Sequence, residues 1–74
     1  MDTTKRTLVA DLLRLSIRLQ EVGIDKDTAF LAAGRYLSGV GAWTKAITEG
    51  ASDGRFSALA GAKAFNILDN WVIR

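Results

Sequence analysis

Leu8, Leu12, Leu15, Leu19 and Val22 stand at intervals of four, three, four and three residues, a spacing that returns every side chain to one stripe of an α-helix. A chain that begins this way must lay that stripe against another apolar surface. Val9, Leu13 and Ile17 widen it beyond a bare coiled-coil seam, so this helix is expected to touch two neighbours, as in a bundle. Thr7, Asp11, Arg14, Arg18 and Glu21 are assigned to the opposite, outer face, where Asp11 can pair with Arg14 and Arg18 with Glu21. Thr3 or Thr4 can cap the first turn, and Gly23 can take the left-handed conformation that stops a helix, which places the first helix at about 4–22.

Proline is absent, so glycine supplies the punctuation of the rest of the chain. Asp25, behind Ile24, is the N-cap of a second helix, and Asp27 suits the positive end of its dipole. That helix is expected over about 26–48, either broken at 39–41 or continuous. Ala29, Ala33, Tyr36, Leu37, Val40, Trp43 and Ile47 keep one helical phase across Gly39 and Gly41, which favours one long helix with at most a gentle kink. On it, Gly34, Ser38 and Gly41 form a row of small residues expected to receive a tightly packed neighbour within the chain. The string Gly50 to Gly54 reads as a loop, with Ser52 or Asp53 capping a third helix at about 53–72. Ala60, Ala64, Ile67 and Trp71 form one of its rows, and Ala58, Gly61, Phe65, Leu68 and Val72 the other. No alternating strand pattern of useful length occurs. The expected fold is all-α, a single domain over 1–74: a small three-helix bundle, or four short helices if the second breaks near Gly39.

The chain has 74 residues and neither cysteine nor histidine. Disulfides, thiolate nucleophiles, structural zinc and imidazole acid–base chemistry are therefore excluded together. A domain of this size buries only about 60 to 65% of the surface its unfolded chain exposes, and self-association is a common remedy when metal and disulfide are both missing, so a homodimer is carried as an expectation. Net charge is +2, with the two signs interspersed, the usual pattern of a solvated surface. A pI near 9.4 follows from that small surplus when histidine is absent, and is weak evidence for nucleic acid. Asp11 interrupts what would be the apolar part of a signal peptide, and no stretch has the roughly 20 apolar residues of a membrane span; a cytoplasmic protein is expected.

Catalysis needs converging polar groups, and the acidic residues here read as caps or solvent-facing partners. Asp25 and Asp53 are caps by position, while Asp25 with Asp27 lacks the further oxygen ligands of a calcium loop. No enzyme activity, cofactor or metal is expected. Trp43, Tyr36, Phe56, Arg14 and Arg18 are the candidate partner-binding residues, because aromatic and arginine side chains dominate interface energetics. Trp43 and Phe56, flanking the Gly50 loop, are the preferred surface pair. The string Gly23-Ile24-Asp25-Lys26-Asp27-Thr28-Ala29 resembles the turn of helix-turn-helix DNA-binding proteins, a resemblance of about ten residues that implies DNA contacts from Lys26, Thr28 and Arg14. The helix that follows offers Phe30, Leu31 and Gly34 where base-reading side chains belong. A membrane-active peptide of the bacteriocin kind is a third reading, opposed by eight acidic residues spread along the chain. The favoured reading is a non-catalytic protein–protein interaction module: an accessory subunit, adaptor or small inhibitor, of a size that suits a phage or mobile-element factor directed at a host complex.

Overall fold

The computed structural model describes residues 3–39 and 41–71, with side chains from Val9 onward, so Leu8, Val40, Val72 and the expected caps Thr3 and Thr4 lie outside the described side chains. Four helices follow in order: α1 (Thr3–Glu21), α2 (Lys26–Leu37), α3 (Trp43–Ser52) and α4 (Ala58–Asp69). Among the described residues there is no strand.

The turn from α1 to α2 forms as its local chemistry dictates. Gly23 has φ of +109°; its N–H donates to the Gln20 carbonyl at 3.0 Å, and the Ile24 N–H to the Leu19 carbonyl at 3.1 Å. This pair of bonds closes a helix while Ile24 packs back on Leu19, and both side chains are buried. The chain reverses, so that Val9 and Leu12 near the start of α1 lie beside Gly34, Leu37 and Ser38 near the end of α2.

Asp25 caps α2, accepting from the Thr28 N–H at 3.2 Å. Burial pushes its carboxyl up. The Thr28 hydroxyl beside it, off hydrogen-bond alignment, the Thr28 and Asp25 backbone N–H groups and the Arg55 charge outweigh burial and hold the group below its ordinary range. Asp25→Ala is expected to cost about 1 kcal/mol at neutral pH, and Asp25→Asn a fraction of that. Because the folded pKa is lowered, the carboxylate's contribution is complete above the unfolded value of about 4 and is lost as pH falls through the lower folded value. Urea unfolding at pH 7 and in steps below pH 4 checks this: the Asn variant should lose less stability on acidification than the parent chain.

The second segment breaks. Gly39 has φ of +77° and its N–H donates to the Tyr36 carbonyl at 3.1 Å, a helix stop of the same kind as Gly23. Of the two forms expected over 26–48, broken or continuous, the chain takes the broken one, α2 followed by α3. Phase alone misleads here because both helices lay the same side on one core: Ala29 and Ala33 of α2 and Ile47 of α3 are all buried.

Two further boundaries differ from expectation. Gly50 is not in a loop but inside α3, buried, and Ser52 is the last residue of that helix. The cap of α4 is Ser57, whose hydroxyl accepts from the Ala60 N–H at 3.1 Å, rather than Ser52 or Asp53. The glycine in α3 is held by packing. A Cβ at position 50 would stand 2.6 Å from Cζ of Phe56 and closer still to Cε2, so the Phe56 ring occupies the space a side chain would need.

Alanines at 29, 32, 33, 46, 60 and 64 are buried and let the helices approach closely, while Leu15, Leu19, Ile47 and Leu68 fill the remaining space. The rotation of α1 against this core corrects the expected outer face. Asp11 is fully buried, with Leu15, Ser16 and Leu19. It stands one turn before Leu15, hence on Leu15's side of the helix. Ser16 donates its hydroxyl proton to the Leu12 carbonyl at 2.7 Å, which satisfies the hydroxyl inside the core. Val9, Leu13 and Ile17, expected to meet a second neighbour, are instead 58%, 49% and 56% exposed.

Candidate functional site

Two surfaces gather the residues with chemistry to offer. The first is an aromatic cluster where α2, α3 and α4 converge. The Tyr36 and Trp43 rings meet edge to face at 5.9 Å, and Trp43 meets Phe65 at 5.4 Å, separations at which aromatic pairs attract beyond their burial. The Tyr36 hydroxyl donates to the Trp71 carbonyl at 3.3 Å. From α1, the Arg14 guanidinium lies 5.5 Å from the centre of the Trp71 ring, within cation–π range. Its Nη1 also stands 3.1 Å from Oδ1 of Asp11, an ion pair without hydrogen-bond alignment. Arg14 thus spans the buried carboxylate and the tryptophan face.

Of the expected partner-binding residues, Tyr36, Trp43 and Arg14 are brought together here. The two aromatics are half-buried and packed against the core. Arg18 lies further along α1, half-exposed, 3.8 Å from Glu21, and borders a shallow hollow with Arg14, Ile17 and Trp71. Phe56 is not a surface residue: it is a core side chain lying on Gly50. Of the residues assigned to DNA contact, Lys26 is exposed at the first turn of α2, Arg14 is engaged as above, and Thr28 is buried, without surface to present to a base edge.

The second surface is apolar, and sequence reasoning assigned it to the interior. Val9, Leu13 and Ile17 follow one another at every fourth residue along α1, facing solvent. On α2 the row Leu31, Gly34 and Ser38 runs alongside, with Phe30 one turn before Gly34, and both Phe30 and Leu31 are exposed. Between the helices runs a groove lined by Val9, Leu12, Gly34, Leu37 and Ser38. Gly34 was expected to hold a tightly packed neighbour, yet a Cβ built there meets no heavy atom within 4 Å. The groove floor is open. The available signal was the breadth of apolar residues on α1, which exceeds what a helix packed on one side requires.

Among the described residues no three Asp, Glu, His or Cys side chains converge as a metal site would require, and no helix is long and apolar enough to cross a membrane. Comparison with protein-family models, with characterised proteins and with solved structures found no match to this chain.

Proposed function

We propose that this chain is a non-catalytic protein–protein interaction module, acting as an accessory subunit, adaptor or small inhibitor, and that it docks through the apolar face of α1 and α2. One observation carries the reading: the Val9, Leu13 and Ile17 ridge beside the open groove over Gly34. Contiguous apolar surface rimmed by polar residues marks an interaction site more often than a scatter of single exposed side chains does. The face suits protein better than nucleic acid, because its exposed side chains are aliphatic and aromatic, and the first turn of α2 adds Asp27 beside Lys26. The aromatic cluster supports the face from behind by fixing α2 and α3, with Arg14 tying α1 to Trp71.

A photoreactive amino acid placed singly at Leu13, Ile17 and Lys63, expressed in the native host, tests this. Lys63 is exposed on α4 and serves as the control. Protein adducts are expected from positions 13 and 17 and not from 63. If none of the three yields a protein adduct, the interaction reading falls, and a labelled duplex that binds with affinity falling steeply as salt rises puts the DNA-binding reading in its place.

A further inference from the structure

We propose that the occupant of the α1–α2 face is a second copy of this chain, an inference that rests on reading the face as a docking surface and names its partner. A twofold interface must be complementary to itself, since the same patch serves both sides. This face meets that condition in an uncommon way, because it carries a ridge and a groove next to each other. The ridge runs from Val9, on the lip of the groove, through Leu13 to Ile17, which borders the hollow toward Trp71; the groove is floored by Gly34, where a side chain would meet nothing within 4 Å. A twofold axis near Leu13 lays the two α1 helices across each other, with Val9 of one copy toward Ile17 of the second. Ridges of residues four apart interdigitate at a crossing of about −50°, and such a crossing engages only a few residues of each ridge, which matches the length of this one.

Area and charge agree with a second copy. The exposed parts of Val9, Leu13, Ile17, Phe30 and Leu31 amount to roughly 400 Å² of apolar surface per chain, within the range of the largest patch on a monomer, which is often a functional one. Two such patches with their rims reach on the order of 1,000 Å² of total buried surface, the lower bound for a specific interface. Among the described residues, the α1 cations that flank the ridge have partners within their own chain, Arg14 with Asp11 and Arg18 with Glu21. With neither cysteine nor histidine in the chain, association is the remaining route by which so small a domain gains buried surface.

Sedimentation equilibrium of the full chain across a concentration series tests the proposal. The mass is expected to rise from one chain toward two. Leu13→Glu puts a charge at the centre of the ridge, and Gly34→Leu fills the groove without adding charge. Each should weaken association at least tenfold while leaving the far-ultraviolet circular dichroism of the dilute chain unchanged, as expected for substitutions at exposed or open positions. A wild-type chain that stays monomeric throughout overturns the dimer, as does association that neither variant weakens. Crosslinks from Leu13 separate the two readings. Adducts of twice the chain mass support the dimer; adducts to a different protein from a monomeric chain overturn it and leave the docking surface standing; no protein adduct at all overturns both.

Discussion

Gly50→Ala is expected to destabilise this protein by about 3 kcal/mol or more, at or beyond the upper end of what overpacking usually costs. Alanine is ordinarily the better helix former by about 1 kcal/mol, so the sign here is set by packing. The added Cβ would lie within 2.6 Å of the Phe56 ring, far inside van der Waals contact. The ring has little freedom to retreat, because Phe56 is buried in the short connection between α3 and α4. Either the ring leaves the core and a void opens beneath it, or α3 shifts away from α4. Urea unfolding measures the loss. The cause is checked by the double variant Gly50→Ala with Phe56→Leu, in which the smaller side chain makes room: its total loss should be clearly less than the sum of the two single losses. Additive losses would place the cost in the helix backbone rather than against the ring.

That glycine also marks where sequence reasoning stops. The stop at Gly23 and the cap at Asp25 were legible because both are local: each is specified by a few consecutive residues and by bonds that close within one turn. Gly34 and Gly50 are both glycines within helices, and nothing in their flanking residues separates them. One faces an open groove and the other an aromatic ring from a residue six positions on. Gly39 was equally undecided, because a helix continuing through it and two helices facing the same core show the same apolar phase. Their positions on either side of the Gly50 string suggest a surface pair for Phe56 and Trp43. Once Gly50 belongs to α3, Phe56 turns inward and Trp43 becomes the centre of the Tyr36 and Phe65 contacts.

The candidate docking face was hidden for a different reason. Helix α1 is apolar on two sides, and periodicity states that fact without saying which side is the interior. Leu12, Leu15 and Leu19 went inward, with Asp11 beside them, and Val9, Leu13 and Ile17 outward. The buried carboxylate is what arithmetic on the helix should have flagged, since Asp11 precedes Leu15 by one turn. Arg14, reaching from the next turn, brings its guanidinium to 3.1 Å from one oxygen of that carboxyl group, while neither oxygen has an aligned hydrogen bond.

Leu15→Ala and Leu13→Ala, two residues apart on one helix, should therefore separate sharply. Leu15 is fully enclosed, so truncation removes buried methyl groups and leaves a cavity, a loss of about 2 to 5 kcal/mol. At roughly 0.1 kcal/mol per residue, a chain of this length has a total stability of only about 7 kcal/mol, so the variant should be partly unfolded at modest temperature. Leu13 is half-exposed, and in the dilute monomer its truncation should change stability by less than about 1 kcal/mol. Urea melts of both variants at low protein concentration make the comparison, and equal losses would mean that α1 packs with a different rotation. Repeating the melts at high concentration adds a second discriminant. An associated state stabilises the fold by mass action, so a second copy seated on the ridge makes the cost of Leu13→Ala grow with concentration, while that of Leu15→Ala, paid inside each chain, stays nearly constant.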